Sequence, residues 1–310
     1  MQASQSSPVA RNLSRATWAL FACAALLYIS AEIVGFFGLE RISKIHGRIR
    51  REGREAQQIR SAPPGKPKTI LFVGNSLVQE GVNFPALKQD VSIKFDATRY
   101  IVEGTGYYDW YYALRRLFRH AAHPDFVVLS LNPSGLLTDN TRGDFAARFL
   151  WDVQDVWPLS RDIHADLSTT SGLYLAHFST FYATRNVLRA VFMGKVAPAI
   201  PVMWRISVFS LAVEPPDSVA IPIMRDRLAA LKRLCEANGT RVSFLIPPTP
   251  QLGDTAIVAA GEQSGVRVLR PIPNFSLGPE YYQDGLHLND KGAEKFTKSV
   301  EQILLDSSFQ

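Results

Sequence analysis

A long apolar stretch near the N-terminus constrains this chain more than any other feature. Residues 16–39 read ATWALFACAALLYISAEIVGFFGL, in which Glu32 is the only charged side chain. A helix of this length spans about 36 Å, enough to cross the hydrocarbon core of a bilayer with some tilt. Aromatic residues that could anchor the helix at the membrane interfaces lie near both ends: Trp18 at one end, and Phe36 and Phe37 at the other. The sequence therefore predicts a single-pass transmembrane helix at 16–39, preceded by an N-terminal tail at 1–15.

A cleaved signal peptide is the alternative interpretation of this stretch. Its apolar region is normally shorter, and no small-x-small cleavage site precedes the arginine-rich segment that follows, so we favour an uncleaved anchor. Glu32 also has two interpretations. We favour a carboxylate that reaches the membrane interface from the helix end, and the alternative is a polar contact with the membrane helix of a partner.

The positive charge of the chain is concentrated directly after the apolar stretch. The net charge is +6, and residues 41–68 hold nine lysines and arginines against two glutamates, so the rest of the chain is close to neutral. A basic segment beside a membrane helix suits anionic lipid headgroups, and we expect the bilayer rather than a nucleic acid as its partner. The charge bias alone would put the C-terminal body in the cytoplasm. Long C-terminal domains translocate largely regardless of charge, however, so the side of the membrane stays open.

The remaining sequence indicates a juxtamembrane segment and one α/β domain. Residues 40–67 are expected to form a basic helix followed by the linker SAPPGKP, which cannot continue a helix. Within 68–310, short apolar runs alternate with helical patterns at about 107–120, 222–238 and 290–305. The apolar runs lie at 69–73, 97–102, 126–131, 242–246 and 266–269. This alternation is typical of right-handed βαβ units and predicts a parallel sheet of about five strands.

An aromatic-rich stretch at about 137–220 interrupts the alternation of strands and helices. Its aromatic residues include Trp151, Trp157, Phe178, Trp204 and Phe209. We interpret it as a mostly helical insertion over the edge of the sheet or its C-terminal end. It could cover a substrate, lie against the membrane or a partner, or simply add to the core.

Polar residues stand where the predicted strands end, and this is where parallel sheets bind ligands. A serine hydroxyl becomes a nucleophile only beside a base, and the base needs a group that fixes its tautomer. Ser76 follows the first strand, and Asp284 and His287 precede the last helix. We therefore expect Ser76 to be the nucleophile, His287 its base and Asp284 the orienting carboxylate.

An oxyanion formed at Ser76 would need hydrogen-bond donors from neighbouring strand ends. The backbone N–H groups of Ser76 and Gly106 and the side-chain amide of Asn132 are the expected donors, and Gly104 is the alternative to Gly106. Each feature also has a purely structural interpretation: Ser76 as a helix N-cap, and Asp284 with His287 as a surface turn that starts the last helix. No metal-ligand spacing is present in the sequence, so we expect neither a metal nor a cofactor.

Four sequence blocks resemble the SGNH (GDSL) hydrolases, in the order typical of that family. ILFVGNSL resembles the first block with Ser76 as nucleophile, IVEGTGYYDW the second, VVLSLNPS the third with Asn132, and DGLHLNDKGAEKF the last with Asp284 and His287. The resemblance implies a flavodoxin-like, three-layer parallel sheet. Asn75 and Pro133 stand where aspartates are common, and the second block lacks its usual asparagine, which leaves the choice between Gly106 and Gly104.

The resemblance, taken with the apolar stretch, implies a membrane-anchored serine esterase or O-acyltransferase. Its expected substrate is an acylated cell-envelope polysaccharide or another ester, and its expected protein partner is a multi-spanning, acyl-donating membrane protein. A single-pass anchor with the catalytic domain on the periplasmic side suits an acceptor made at the membrane. The alternative is a non-catalytic carbohydrate-binding or scaffolding subunit with a degenerate SGNH fold.

Overall fold

A five-stranded parallel sheet forms the centre of the protein. The structure is a computed structural model that describes residues 8–38, 43–196, 215–250 and 253–309. The strands are β1 (Lys68–Gly74), β2 (Phe95–Ile101), β3 (Phe126–Ser130), β4 (Arg241–Leu245) and β5 (Arg267–Leu269). Their order is β2-β1-β3-β4-β5, and every pairing is parallel. This is the flavodoxin-like order, and each predicted strand is present to within two residues.

Helices precede the sheet, connect its strands and follow the last strand. In chain order they are α1 (Pro8–Ile33), α2 (Lys44–Gln58), α3 (Ser76–Gly81), α4 (Phe84–Asp90), α5 (Tyr107–Arg119), α6 (Pro133–Leu137), α7 (Asp144–Phe149), α8 (Val156–Asp162), α9 (Leu167–Phe178), α10 (Thr180–Val196), α11 (Asp217–Glu236), α12 (Thr255–Ser264) and α13 (Asp290–Leu305). Short 3₁₀ turns lie at Val153–Asp155, Pro279–Tyr281 and Ser307–Phe309. Helix α11 begins before the predicted position 222, with Pro222 inside it.

The sheet is buried on both faces, which makes the domain three-layered. Successive residues of a strand point to opposite faces. Accordingly, Leu71 and Val73 share one core with Trp110 of α5, whereas Ile70 and Phe72 share the other with helices α3, α4 and α13. The predicted fold class, an α/β protein with a three-layer parallel sheet, is therefore confirmed.

The apolar N-terminal stretch forms a single exposed helix. Helix α1 continues as a π-helix over Val34–Gly38, and Arg15–Phe37 is long and apolar enough to cross a membrane, with a mean hydropathy of 2.0. The helix starts earlier than expected, because residues 8–15 of the predicted tail belong to α1. Residues 1–7 of that tail, and Leu39 at the other end of the predicted span, lie outside the described residues.

Glu32 contacts the chain's own insertion. Its carboxylate accepts hydrogen bonds from the Ser179 hydroxyl and from the backbone N–H groups of Thr180 (2.9 Å) and Phe181 (3.4 Å). These groups lie at the start of α10, where N–H groups have no partner within the helix. The sequence did not predict this contact, because the residues that bind Glu32 lie about 150 positions further along the chain.

The juxtamembrane helix α2 packs against the edge strand β2. Glu52 of α2 is buried and accepts hydrogen bonds from the backbone N–H of Ile101 (2.9 Å), from Arg99 Nε (2.8 Å) and from Arg48 (3.0 Å). An edge strand otherwise exposes unpaired N–H groups, so α2 covers this edge. The segment predicted as a juxtamembrane helix thus contributes to the α/β domain, and residues 40–42 at its start lie outside the described residues.

The described part of the stretch at 137–220 consists of helices α7 to α10, the end of α6 and the start of α11, a short 3₁₀ turn and the loops that join them. Phe145 and Trp151 are buried in the same core as α5, whereas Trp157 and Phe178 are 53% and 69% exposed. One side of this stretch therefore adds to the core and the other side presents aromatic rings to its surroundings. Trp204 and Phe209, which the sequence placed in the insertion, lie outside the described residues.

Candidate active site

Ser76 is the first residue of α3, directly after β1. The N-cap of this helix is Asn75, whose side chain accepts a hydrogen bond from the Leu77 N–H at 3.1 Å. The capping interpretation of Ser76 is therefore wrong, since the preceding residue performs that role. Because Ser76 occupies the first helical position, its own N–H has no acceptor within the helix.

Asp284 and His287 lie on a short loop that is fixed at both ends. Tyr282 and Leu288 form an isolated antiparallel bridge, and the Gln283 N–H donates to the His287 carbonyl at 2.9 Å. Gly285 has a φ of +76°, a conformation that side-chain-bearing residues rarely adopt. The loop therefore turns back on itself, and it brings His287 to β1 across a separation of 211 residues.

The last helix does not use Asp284 or His287 as its cap. Asn289 caps α13 by accepting hydrogen bonds from the N–H groups of Lys291 and Gly292, both at 3.1 Å. The interpretation of Asp284 and His287 as a helix-starting turn is therefore wrong, and their side chains are available for another role.

Ser76, His287 and Asp284 form a continuous hydrogen-bonded chain. His287 Nε2 lies 3.0 Å from Ser76 Oγ, and His287 Nδ1 lies 2.8 Å from Asp284 Oδ2. An ionised carboxylate only accepts hydrogen bonds, so Nδ1 carries the proton of the neutral imidazole. Nε2 is then unprotonated and accepts the Ser76 hydroxyl proton. This is the arrangement that a serine nucleophile and its base require.

Asp284 is held in its ionised form. Partial burial opposes ionisation, but hydrogen bonds from the His287 N–H (2.8 Å), the His287 ring and the Leu286 N–H (3.1 Å) outweigh it, so the pKa of Asp284 lies below its usual value. One carboxylate oxygen binds the backbone and the other binds the ring. The side chain therefore cannot rotate away from the imidazole without losing its backbone hydrogen bonds.

Asn132 follows β3, the strand that pairs with β1 on the side opposite β2. This is the point at which the strand order reverses, and ligands of such sheets bind there. The side-chain oxygen of Asn132, Oδ1, caps α6 by accepting a hydrogen bond from the Gly135 N–H at 3.0 Å. Its amide nitrogen makes no hydrogen bond to the part of the chain that the structure describes, so it can donate to a ligand.

Gly106 does not have a free N–H group. Its N–H donates to Asp109 Oδ2 at 2.9 Å, in a capping arrangement at the start of α5. Gly106 would have to release or share this hydrogen bond to supply an oxyanion donor. Gly104, the alternative, has a φ of +68°, and within the described chain its N–H makes no hydrogen bond. The choice between Gly106 and Gly104 therefore stays a prediction.

Asp109 and Arg142 shape this part of the site and were not predicted. Asp109 is fully buried and also accepts from the Arg142 N–H at 3.0 Å, so it ties the loop after β2 to the loop before α7. Burial raises the pKa of Asp109 to about 7, although hydrogen bonds from the backbone of Gly106 and Arg142 oppose this. The Arg142 guanidinium lies beside Gly104. An acidic residue three positions after a helix N-cap is the signal that could have revealed Asp109.

Comparisons with known proteins find similarity only among solved structures. No family model and no curated protein matches the chain. A Bacteroides fragilis protein described as an acylhydrolase is 11% identical with a TM-score of 0.43, over 82% of this chain and 94% of that one. The psychrotrophic esterase EstA from Pseudoalteromonas sp. is 14% identical with a TM-score of 0.39, over 76% and 95%. TesA is 12% identical with a TM-score of 0.38, over 77% and 98%.

These likenesses are distant, and what this chain can do chemically follows from its own side chains. The four sequence blocks meet at the C-terminal edge of the sheet, and the serine, histidine and aspartate of the first and last blocks form one hydrogen-bonded chain. Strand order and this geometry agree with what the sequence resemblance implies, and the SGNH hydrolases are the family to which this chain is similar.

Proposed function

We propose that the chain is a serine esterase or O-acyltransferase that works through an acyl-enzyme on Ser76. The main support for this proposal is the 3.0 Å contact between Ser76 Oγ and His287 Nε2. The other ring nitrogen, His287 Nδ1, lies 2.8 Å from Asp284 Oδ2. In such an arrangement the histidine acts as the base that makes the serine hydroxyl nucleophilic, and the carboxylate orients the histidine.

The first half-reaction transfers the acyl group to Ser76. Ser76 Oγ attacks the carbonyl carbon of the ester while His287 Nε2 takes the hydroxyl proton. The carbonyl oxygen becomes an oxyanion. The donors proposed to stabilise it are the N–H of Ser76, the N–H of Gly106 or of its alternative Gly104, and the side-chain amide of Asn132. The bond to the leaving alcohol then breaks, and the imidazolium returns its proton to the alcohol oxygen.

The second half-reaction regenerates the enzyme. A hydroxyl group gives its proton to His287 Nε2 and attacks the acyl carbon, after which the bond to Ser76 Oγ breaks and Oγ regains the proton. Water as the acceptor gives hydrolysis, and a sugar hydroxyl gives transfer. Asp284 stabilises the cationic imidazole in both halves, and it does so without itself being protonated.

We also propose that the protein is membrane-anchored and acts on an acyl group of a cell-envelope polysaccharide from the periplasmic side. The exposed apolar helix Arg15–Phe37 supports an anchor. Its contact through Glu32 with the start of α10 supports an uncleaved helix over a signal peptide, because cleavage would remove the acceptor for three donors. A multi-spanning acyl-donating protein is the partner that transfer would need.

Covalent labelling tests the nucleophile. A fluorophosphonate probe should label the full-length protein in detergent, and Ser76→Ala should abolish both labelling and release of acetate from a small acetyl ester. His287→Ala should do nearly as much, because the two residues act as a unit. Ser134→Ala is the matched control, since Ser134 is the next serine at this edge of the sheet and His287 contacts Ser76 instead.

The labelling experiment also separates the enzyme from the alternative, a non-catalytic carbohydrate-binding or scaffolding subunit. Labelling of wild type and Ser134→Ala but not of Ser76→Ala supports an acyl-enzyme. Unlabelled wild-type protein that still binds polysaccharide would instead identify a binding subunit. Retained esterase activity in purified Ser76→Ala would show that the nucleophile is another residue.

A further inference from the structure

A cavity of about 330 Å³ lies between the juxtamembrane helix and the catalytic domain. Helix α2, the C-terminal half of α5 and the end of α7 form its walls, and Phe36 and Thr180 close it on the side of the apolar helix. None of the residues that form the candidate active site contributes to it. Its volume falls in the range of cavities that hold small ligands.

The cavity has a strongly basic lining. Among the described residues, four arginines and no acidic residue line it: Arg50, Arg54, Arg116 and Arg148. Asp152 lies close by and compensates part of this charge, since it contacts Arg116 at 3.5 Å and His120 at 3.2 Å. Glu32 and Glu52 also lie close to the cavity, where Glu32 binds the Thr180 N–H and Glu52 pairs with Arg48 and Arg99. Arg54 forms no ion pair among the described residues, so an anionic ligand would offset its charge.

Among these arginines, Arg54 is the one most clearly available to a ligand. Its side chain is exposed, and within the described residues it forms no ion pair or hydrogen bond. The Arg116 side chain donates a hydrogen bond to the Phe149 carbonyl (2.7 Å), and the Arg148 side chain donates one to the His177 carbonyl (2.6 Å). Each guanidinium carries further N–H donors. Guanidinium groups bind phosphate oxygens in pairs of parallel hydrogen bonds.

The cavity also adjoins the end of the membrane-spanning stretch. The Arg50 guanidinium stacks over the Phe36 ring at 5.1 Å, and Phe36 and the exposed Phe37 are the last aromatic residues of that stretch. Aromatic rings at a helix end lie at the level of lipid headgroups. In an anchored protein, basic donors and headgroup phosphates would therefore occupy the same level.

We propose that this cavity binds the phosphate of an anionic phospholipid headgroup. The arginines would bind the phosphate oxygens, and the aromatic side chains Phe36 and Phe149 would contact the glycerol and the first acyl carbons. The bound lipid would hold α2 and the catalytic domain in a fixed position at the membrane surface. This inference rests on the proposed anchoring and is independent of the chemistry at Ser76.

Native mass spectrometry of the full-length protein in detergent tests the proposal. Added phosphatidylglycerol should give a one-to-one adduct, and phosphatidylcholine should give much less. Arg50→Gln/Arg54→Gln should weaken the adduct by at least about tenfold, the effect of losing one charge-assisted hydrogen bond. Lys44→Gln/Arg51→Gln is the matched control, because it removes the same two charges from exposed positions of α2 that do not line the cavity.

Equal loss in the two double variants, or equal adducts with both lipids, would overturn the proposal. A second experiment with the water-soluble ligand glycerol phosphate distinguishes the source of the phosphate. Binding of glycerol phosphate with no phosphatidylglycerol adduct would overturn the lipid assignment. Fluorophosphonate labelling of Ser76 should be the same in all these variants. Loss of labelling in the wild type would refute the proposed enzyme and leave the lipid result unaffected.

Discussion

Asn132 has one structural role and one proposed catalytic role on the same side chain. Its oxygen caps α6 through the Gly135 N–H, and this contact directs the amide nitrogen away from the helix. The structural function needs only an acceptor, whereas the proposed catalytic function needs a donor. Substitutions can therefore separate the two, which a single alanine variant cannot do.

We expect Asn132→Asp and Asn132→Ala both to lower turnover of an acetyl ester by at least about 10²-fold, because an ionised carboxylate only accepts hydrogen bonds and alanine has no polar group. Only the alanine variant should also lose stability, by about 1 kcal/mol, because aspartate retains a capping oxygen. Steady-state kinetics and urea unfolding measure the two effects. Normal turnover in the aspartate variant would exclude Asn132 as a donor.

Asp109 should make the stability of the protein depend on pH. Its pKa is raised by burial to about 7, above the value of about 3.9 expected in the unfolded chain. The folded state therefore binds the proton more tightly, so this stabilisation is complete below about pH 4 and is lost as the pH rises through 7. Asp109→Asn should flatten the decline in the free energy of unfolding between pH 4 and 7.

Urea unfolding at several pH values measures this slope. Asp90→Asn, which removes an exposed carboxyl from α4, controls for the loss of one charge. An unchanged slope in Asp109→Asn would show that Asp109 does not take up a proton on folding.

Helix α2 illustrates how a strongly charged segment that follows the apolar helix becomes part of the α/β domain. The sequence predicts a basic helix here, but four of its residues are buried: His46, Ile49, Glu52 and Ala56. The Glu52 carboxylate joins two arginines and an edge-strand N–H, and it is 4% exposed. A buried charge of this kind persists only when it is fully paired.

We expect Glu52→Ala to destabilise the protein by about 3 kcal/mol, because it leaves Arg48, Arg99 and the Ile101 N–H without their shared acceptor. Glu52→Gln should cost less, since its amide oxygen can still accept from Ile101. Urea unfolding of the full-length protein provides the measurement. Glu55→Ala, at an exposed position of the same helix, should stay within about 0.5 kcal/mol of wild type. If both alanine variants were equally stable, α2 would not be bound to β2 in solution.

On the scale of the whole molecule, packed contacts connect the apolar N-terminal helix to the α/β domain. Helix α1 contacts the insertion through Glu32, and α2 is bound to the edge of the sheet. The domain is therefore connected to α1 by these contacts as well as by the chain itself. With α1 as the proposed anchor, a catalyst attached in this way would act on acceptors close to the membrane surface.

For the whole chain, we predict that the domain after the apolar helix lies on the periplasmic side of the membrane. Alkaline phosphatase fused after Gln310 should be active, because it folds only outside the cytoplasm, and a fluorescent reporter that folds only in the cytoplasm should be dark. The expectation follows from an acceptor located in the cell envelope. The reverse result would agree with the arginine-rich segment at 41–68 and end the proposal of a periplasmic enzyme.

The sequence alone predicted the strands, the membrane-length helix and the residues of the serine–histidine–aspartate chain. These features depend on local patterns: apolar runs for buried strands, a long apolar stretch, and short motifs at strand ends. The insertion was recognised as a break in these patterns. Its division into a buried side with Trp151 and an exposed side with Trp157 was not predictable, because each position depends on which surface packs against it.

Tertiary structure alone decided which donors are free and which charges are paired. The N–H of Gly106 binds Asp109 and that of Gly104 does not, although both glycines follow the same strand. Thr180 lies 148 residues from Glu32, Ile101 lies 49 residues from Glu52, and His287 lies 211 residues from Ser76. Contacts over such separations arise when the chain packs, because hydrogen bonds and ion pairs depend on the distance between atoms in space, whereas periodicity in a sequence reports only neighbours within a few residues.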